Sequence, residues 1–392
     1  MAHAAAVALL ALGSLGTLLL LAQLLSLRRH LAVPAPRREG PRTFSILKPL
    51  CGLDDDLAAN LESFAALEAP AYEVLLGVRS TADTAFPLAM ALARRDPRFR
   101  VVVQRGAAGA NPKVNQLVTL AAEARNAVLV VSDSNVRVAP GYLREISALL
   151  ADPEVGLVTH LVAGAGERRL GSLLDHLHLT GFVAPALVGA KRLAGRDIVV
   201  GKSMAFRRED LEALGGFAAA RDFLAEDYVL GTLVSRKLGK RVALAHRPVV
   251  QVSHSRGVAD FLGRYARWAV LHRTTTGRTV HLAQAMLNPV LLAAAALVLD
   301  PGPETALGLA GACLAKAALE GAAGRLLRPG GFAPWQLLLV PVKDLLLAWP
   351  WAQALWESEV SWRGNRLRVH EGTRVEPAAD EAPWTAAGPR AA

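Results

Sequence analysis

An apolar stretch near the N-terminus constrains this chain more than any other feature. From Ala4 to Leu27 no side chain is charged, and about 20 apolar residues suffice for a helix to cross the hydrocarbon core of a bilayer. The positive residues follow this stretch, whereas a cleaved signal peptide has them in front, so we predict a retained spanning helix. They are Arg28, Arg29, Arg37, Arg38 and Arg42. Their position predicts that the domain after them is cytoplasmic.

A second apolar block lies near the other end of the chain. It consists of the stretches Leu282 to Leu299, Thr305 to Ala323 and Phe332 to Trp356. The first two predict a helical hairpin. The third carries Lys343 and Asp344 at its centre and fits either a third span or a re-entrant or interfacial helix. We therefore expect membrane helices over 4–27 and 281–356 and a basic tail over 357–392.

Composition narrows the classes of partner. The 392 residues include 44 Lys and Arg against 34 Asp and Glu, a formal net charge of +10. No run of basic residues is interleaved with aromatic ones, so we expect anionic lipid or a phosphorylated substrate and no nucleic acid. The two cysteines, Cys51 and Cys313, give no disulfide framework, which fits a reducing compartment.

The middle of the chain predicts an α/β fold. Between Thr43 and Gly164 short β-rich runs alternate with amphipathic segments, as in a parallel sheet with crossover helices. The predicted strands are Thr43 to Leu50, Tyr72 to Ser80, Arg100 to Gln104, Ala127 to Ser132 and Val155 to Val162. We expect Asp54 to Asp56 to cap the first helix, and Asn111 with Pro112 to begin the third.

Further elements follow this region. Leu170 to Leu193 is moderately apolar and is expected to lie along the membrane surface. Strands are predicted over Asp197 to Phe206 and Arg241 to Val252, with a helix over Asp222 to Leu238 between them. Gly257 to Thr276 predicts a helix with both basic and apolar faces, which leads into the second membrane block.

Three carboxylates are candidates for chemistry, because ligands of open parallel sheets bind beyond the carboxyl ends of the strands. Asp133 ends a hydrophobic strand and could hold a divalent cation that bridges a diphosphate, or simply cap a turn. Asp83 could accept from a base or ribose, or belong to a turn. Asp227, beside Glu226 near a helix start, could be a general base, or an acid placed there by the helix dipole.

Cationic and aromatic residues complete the candidate site. Arg264 and Arg267 lie at i and i+3 beside Trp268, where guanidinium groups could stabilise a leaving diphosphate. The alternative is an interfacial helix whose arginines meet lipid phosphates. Lys113 and Asn115 lie near a helix N-terminus, which is a natural anion site or merely a helix start.

The order of these pieces resembles the ceramide glucosyltransferase family, from Leu47 to about Arg368. The matching segments are Lys48-Pro-Leu-Cys-Gly52, Asn60-Leu-Glu62, Tyr72-Glu-Val-Leu-Leu76, Asn111-Pro-Lys113, Asp133-Ser134, Arg137-Val138, Gly201-Lys-Ser-Met204, Ala225-Glu-Asp-Tyr228, Arg267-Trp268 and Ser361-Trp-Arg363. The resemblance implies an inverting membrane glycosyltransferase of the GT-A fold, a Rossmann-like nucleotide-diphospho-sugar transferase fold. Its cytoplasmic domain would cover 43–256, followed by an interfacial helix over 257–280.

The resemblance also implies roles for individual residues. Asp83 and Asp133 match the family's first two aspartates, for nucleotide and metal-diphosphate binding, and Asp227 matches the third, the base. Arg264, Arg267 and Trp268 match its Q/RxxRW signature over the donor pyrophosphate. Apart from these matches, we expect Lys113, Asn115 and Glu226 to belong to the substrate site. Two departures stand out. Asn135 replaces the usual second acid of the metal motif, and Ala184-Pro185 replaces the His-Pro of animal relatives.

The resulting expectation is a bacterial ceramide glucosyltransferase. It would move glucose from UDP-glucose to the primary hydroxyl of ceramide with Mn²⁺ or Mg²⁺, at the cytoplasmic face of the inner membrane. Alternatives are a hopanoid or diacylglycerol acceptor, N-acetylglucosamine as the sugar, and a non-catalytic lipid-binding scaffold. A lipid acceptor costs about 0.8 kcal/mol per methylene to withdraw from the bilayer, so the crevice is expected at the membrane surface.

Overall fold

The structure is a computed structural model that describes residues 1–34, 38–69, 71–107, 109–362 and 365–378. Arg37 and Arg363, which the sequence analysis singles out, lie outside these ranges, as does the end of the predicted tail.

A seven-stranded sheet forms the centre of the protein. Its strands in spatial order are β3 (Phe99–Val103), β2 (Ala71–Val78), β1 (Thr43–Pro49), β4 (Val128–Ser132), β8 (Ser203–Arg207), β6 (Val155–Thr159) and β9 (Arg241–Leu244). All neighbours pair in parallel except β8, which runs antiparallel to β4 and β6. The first four predicted strands are confirmed to within two residues. The sheet is therefore mixed and not purely parallel.

Two predicted strands are wrong because the chain changes sheets within them. The run Val155 to Val162 divides after Thr159, and Arg241 to Val252 divides after Leu244. Their second halves are β7 (Val162–Ala165) and β10 (Val249–Val252), which pair in parallel, and β10 also pairs with β5 (Val136–Arg137). The run that begins at Asp197 forms a strand only from Ser203 onward.

Helices cover both faces of the large sheet. They are α2 (Leu57–Ala65), α3 (Phe86–Arg95), α4 (Pro112–Glu123), α5 (Tyr142–Leu150), α8 (Arg208–Leu214) and α9 (Glu226–Leu238). The strands are buried on both sides, since Phe44 and Ile46 of β1 belong to one apolar core and Leu47 to the other. Such burial accounts for the continuous apolar runs that predict the strands.

Helix starts follow the predicted capping only in part. Asn111 caps α4, its side chain accepting from the backbone N–H groups of Lys113 and Val114. The acidic run before α2 does not cap that helix through a side chain. Instead, the Asp55 carboxylate accepts from the backbone N–H of His254 at 2.7 Å and so joins two distant loops.

The remaining helices belong to the two apolar ends of the chain and to the segment 170–276. These elements are α1 (Ala2–Ala32), α6 (Leu170–His178), a π-helical turn (Leu179–Val183), α7 (Ala184–Ala194), α10 (Val258–Thr276), α11 (Arg278–Ala283), α12 (Pro289–Leu299), α13 (Pro303–Leu327), α14 (Pro334–Leu337) and α15 (Val340–Gln353). Three described helices have the length and composition to cross a membrane, namely 2–32, 170–194 and 303–327. The segment 278–299 is a fourth candidate only as a pair bent by 82°.

These helices revise the predicted membrane topology. The first arm of the predicted hairpin is a straight helix only from Pro289 onward. The third stretch forms α14 and the short α15, which contains Pro350. Residues 170–194 form one helical run with the π turn in its middle. This run is long and apolar enough to cross a membrane, whereas the sequence predicts a segment that lies along the membrane surface.

The predicted basic tail contains a folded sheet. The described residues 359–362 and 365–377 of this segment include the antiparallel strands β11 (Glu359–Trp362), β12 (Asn365–Val369) and β13 (Val375–Pro377). The backbone of this segment bonds to the loop before α9, with Leu224 N–H donating to Thr373 O and Val375 N–H donating to Asp222 O, both at 2.9 Å. This sheet packs against α10.

Helix α1 is tied both to the other membrane helices and to the large sheet. It packs against α7, α12 and α13. Near its end, His30 Nε2 lies 3.1 Å from Ala245 O, directly after β9, and the His30 ring stacks on His246. The membrane helix and the sheet domain are therefore joined by defined contacts.

Candidate active site

A cavity of about 1920 Å³ opens at the carboxyl ends of β2 and β4. The loops after these strands contribute Asp83 and Asp133, and the start of α4 contributes Lys113. The start of α9 adds Glu226 and Asp227. Helix α10 adds Arg264, Arg267 and Trp268, so the structure brings all the predicted site residues to one cavity, Asn115 included.

Asp133 is the centre of a charged network. Its Oδ1 lies 2.8 Å from Lys113 Nζ, and the same ammonium group lies 2.7 Å from Glu226 Oε1. Lys113 also donates to the carbonyl of Gly201 at 3.0 Å. Burial alone would raise the pKa of Asp133, but Lys113 and Lys202 lower it well below its usual range. The side chain is therefore an anion held between cations.

The second oxygen of Asp133 defines a position for a cation. Lys202 Nζ lies 3.0 Å from Asp133 Oδ2 and 2.8 Å from Asn135 Oδ1, so a carboxylate oxygen and an amide oxygen converge on one positive charge. Magnesium and manganese prefer oxygen ligands and take some from a bound phosphate. The side-chain oxygens of Asp133 and Asn135 fit this preference for oxygen ligands. Within the described ranges no group of three His, Cys, Asp or Glu side chains could hold a metal ion.

Lys48 lies beneath the same carboxylate and is fully buried. Its Nζ donates to the backbone carbonyl of Asp133 at 2.9 Å and to Ser132 Oγ at 3.3 Å, and lies 3.9 Å from the centre of the Phe64 ring. Burial lowers the pKa of Lys48 to about 7, and the charge of Lys202 adds to this effect. The contacts fix the end of β4 and hence the position of Asp133.

Asp227 has the environment of a base. Its Oδ2 accepts from the backbone N–H of Gly201 at 2.7 Å, and its Oδ1 accepts from that of Tyr228 at 2.8 Å. Burial, together with the neighbouring charge of Glu226, raises the pKa of Asp227 to about 6. A carboxylate with a pKa near the working pH can take a proton in the transition state and release it afterwards.

Two predicted binding residues hold the loops at the cavity mouth. Asp83 Oδ1 accepts from the backbone N–H groups of Gly52 at 3.0 Å and Ala85 at 2.9 Å. The Asn115 side chain bonds both the N–H and the carbonyl of Gly109, at 2.8 and 2.9 Å. Both side chains shape the rim, and their contact with a nucleotide remains a prediction.

Arg264 faces a buried carboxylate from α6. Its Nη1 lies 2.8 Å from Asp175 Oδ2, and its Nη2 donates to Gln251 Oε1 at 3.1 Å. The Tyr265 hydroxyl donates to the other Asp175 oxygen at 2.9 Å, and the guanidinium lies 4.8 Å from the centre of the Trp268 ring. Arg264 is only 8% exposed, so direct contact with a diphosphate would require this cluster to rearrange.

Arg267 lies on the side of α10 that lines the cavity. Its guanidinium lies 3.4 Å from the carbonyl of Ser361 in β11, so the C-terminal sheet and α10 meet beside it. The role in diphosphate binding that the sequence predicts for Arg267 fits this location better than it fits that of Arg264.

The cavity extends to the helices of the membrane block. Apolar residues from the π turn and α7 line this side, as does the indole of Trp349 from α15; they include Leu179, Val183 and Leu187. Trp349 is 64% exposed, as a side chain that faces lipid would be. A single cavity therefore joins the charged network to an apolar wall.

Sequence reasoning misses several residues of this site. Lys202 belongs to a segment quoted only for its family resemblance, and its pairing partners are distant in sequence. Asp175 carries a findable signal, because a carboxylate within an apolar helical stretch usually has a buried partner or a function. The C-terminal sheet gives no comparable signal, because its strands are short and rich in charge.

Comparisons with known proteins identify the family of the chain. The profile of glycosyl transferase family 21 matches residues 7–375. "Ceramide glucosyltransferase 3" of Caenorhabditis elegans is 28% identical over 58% of this chain and 50% of its own length. "Ceramide glucosyltransferase" of Komagataella phaffii is 29% identical over 48% of this chain and 41% of its own. The chain thus spans about half the length of the curated relatives it matches.

A solved structure shares the fold. A mannosyltransferase from Pyrobaculum calidifontis, in complex with GDP-Man and Mn²⁺, aligns over 91% of this chain and 99% of its own, with a TM-score of 0.55 and 22% identity. The mixed sheet with helices on both faces is therefore the fold of a known nucleotide-sugar transferase, as the sequence predicts.

Proposed function

The chain belongs to glycosyl transferase family 21, and from that membership we propose that it transfers glucose from UDP-glucose to the primary hydroxyl of ceramide, with inversion. The curated relatives are ceramide glucosyltransferases, which supports glucose as the sugar and ceramide as the acceptor.

One observation carries the proposal. The cavity has a charged network at the sheet and an apolar wall at the membrane helices. A nucleotide sugar needs the first and a lipid acceptor needs the second. A lipid whose acyl chains remain in the bilayer can present its hydroxyl to this cavity without the cost of leaving the membrane.

The reaction follows from the groups at the sheet edge. The acceptor oxygen attacks the anomeric carbon of glucose while the bond from that carbon to the diphosphate oxygen breaks. Asp227 takes the hydroxyl proton, and UDP leaves with the bonding electron pair. Attack from the face opposite the leaving group inverts the anomeric centre.

The leaving diphosphate gains negative charge as the bond breaks. Lys113, Lys202 and Arg267 line the cavity where this charge would develop, and cations beside a developing negative charge stabilise the transition state more than the ground state. Mn²⁺ or Mg²⁺, held by Asp133 and Asn135, would neutralise part of the same charge. Asp83 is assigned to the nucleotide and Glu226 to the orientation of Lys113, which it contacts.

We assign the sheet domain to the cytoplasmic face of the membrane. The basic residues that follow the first apolar stretch support this orientation, since cytoplasmic flanks carry an excess of Lys and Arg. The acceptor would then come from the cytoplasmic leaflet, with α7 and α15 along its path.

Purified protein in detergent, given UDP-glucose and ceramide with Mn²⁺, is expected to form glucosylceramide, measured by mass spectrometry of the lipid extract. Parallel reactions contain diacylglycerol or a hopanoid as acceptor, or UDP-N-acetylglucosamine as donor. Product only from one of these would replace the proposed substrate pair. No product from any pair would favour a non-catalytic lipid-binding protein.

A further inference from the structure

Lys202 lies where a donor-bound cation would need to be. Its ammonium group lies within 3.0 Å of both Asp133 Oδ2 and Asn135 Oδ1, the two oxygens that suit a divalent cation. An ammonium and a metal ion cannot share those two oxygens, because like charges so close repel strongly. The other oxygen of Asp133 forms an ion pair with Lys113, so it offers no alternative position for the metal.

The structure gives Lys202 room to leave this position. The side chain is 17% exposed and lines the large cavity, and it starts from the turn before β8. In contrast, Lys113 is held by two carboxylates and a carbonyl. Of the two lysines on the Asp133 carboxylate, Lys202 has the weaker attachment.

We infer that Lys202 occupies the cation position of the donor-free protein and exchanges with the divalent cation when the nucleotide sugar binds. The displaced ammonium then pairs with the diphosphate that arrives with the metal. This inference rests on the proposed use of a nucleoside diphosphate donor with a cation. It adds a residue that makes metal binding depend on the donor.

The exchange has a direct consequence for affinity. In the donor-free protein a metal ion must displace Lys202 without any phosphate to receive the ammonium. With UDP present, the diphosphate supplies both further ligands for the metal and a partner for the lysine. Mn²⁺ should therefore bind weakly alone and much more tightly with UDP.

The test measures Mn²⁺ affinity on the intact protein in detergent, by the electron paramagnetic resonance signal of free Mn²⁺. In Lys202→Met, Mn²⁺ should bind the donor-free protein at least about tenfold more tightly than in wild type, because a competing charge is gone. The gain in Mn²⁺ affinity on adding UDP should shrink. UDP itself should bind Lys202→Met more weakly at saturating Mn²⁺, since one charge-assisted contact is lost.

Lys240→Met is the matched control, because Lys240 pairs with Asp210 away from the cavity. Its Mn²⁺ affinity should stay within about twofold of wild type. Lys202→Gln provides a second neutral variant if Lys202→Met aggregates. Asp133→Ala should lose Mn²⁺ binding with UDP present.

Unchanged Mn²⁺ affinity in both neutral variants would overturn the inference, and so would Mn²⁺ binding that survives Asp133→Ala. The proposed function fails separately, when wild type transfers no sugar to ceramide. The expected metal exchange without any ceramide product would leave the inference standing for another acceptor.

Discussion

Three lysines meet at Asp133, and their contacts separate positioning from chemistry. Lys48 reaches the backbone carbonyl, whereas Lys113 and Lys202 each take one carboxylate oxygen. The sequence predicts Asp133 because a polar residue ends an apolar strand, but it does not predict which cations converge there. Such convergence depends on tertiary distances that no local pattern contains.

The first prediction concerns the base. Asp227→Asn should lower kcat by about 100- to 10,000-fold, because the amide cannot accept the proton of the acceptor hydroxyl. UDP affinity, measured by calorimetry, should stay close to that of wild type. Asp222→Asn is a control from the neighbouring loop. Turnover at the wild-type rate in Asp227→Asn would assign the base elsewhere.

The second prediction concerns pH. Asp227 must be unprotonated to act as a base, and its pKa is raised to about 6, so kcat/KM should increase with pH up to about 6 and then level off. Below that value the decrease should approach about tenfold per pH unit. Rates at constant ionic strength, with circular dichroism at each pH, would test this. A flat profile down to pH 5 would contradict the assignment.

Among the elements, α10 depends on one buried carboxylate of α6. Asp175 is fully buried and contacts Arg264, Tyr265 and Arg256. Local periodicity predicts α10 and the strands β1 to β4, because each has a strong apolar pattern of its own. It does not predict β8 as antiparallel or the C-terminal sheet, because strand direction and pairing are set by distant partners.

The third prediction is that Asp175→Asn destabilises the protein by about 3–5 kcal/mol, because it leaves Arg264 buried without its countercharge. The measurement is the midpoint of unfolding in detergent. Glu212→Gln is the control, since the Glu212 side chain is exposed and its pair with Arg208 is 4.0 Å long, and such surface pairs contribute at most about 1 kcal/mol. Equal midpoints for the two variants would show that the buried pair is dispensable.

At the scale of the whole molecule, the membrane helices and the sheet domain form one unit. Helix α1 meets the turn before α12 at Gly16, where an added Cβ would collide with the carbonyl oxygen of Met286. Near its C-terminal end, the same helix contacts Ala245 and His246 through His30. Apolar length alone predicts that α1 enters the membrane, but it does not reveal this close approach.

The fourth prediction compares two glycines. Gly16→Ala should destabilise the protein by about 1–3 kcal/mol, because the backbones of α1 and the Met286 segment must separate. Gly311→Ala in α13 is the matched control, with open space around its Cβ, and should be neutral or slightly stabilising. Thermal midpoints would measure both. A Gly16→Ala midpoint equal to that of Gly311→Ala would show that the contact is loose.

The C-terminal sheet has a consequence for the order of biosynthesis. Residues 359–377 leave the ribosome after all the membrane helices, yet their backbone bonds to the loop directly before Asp227. Two of the backbone partners of this loop, Thr373 and Val375, are therefore synthesised only after α12 and α13. We expect nascent chains that still lack this segment to hold the loop less firmly, so the candidate site would be completed only after the helices that precede it in the chain have been made.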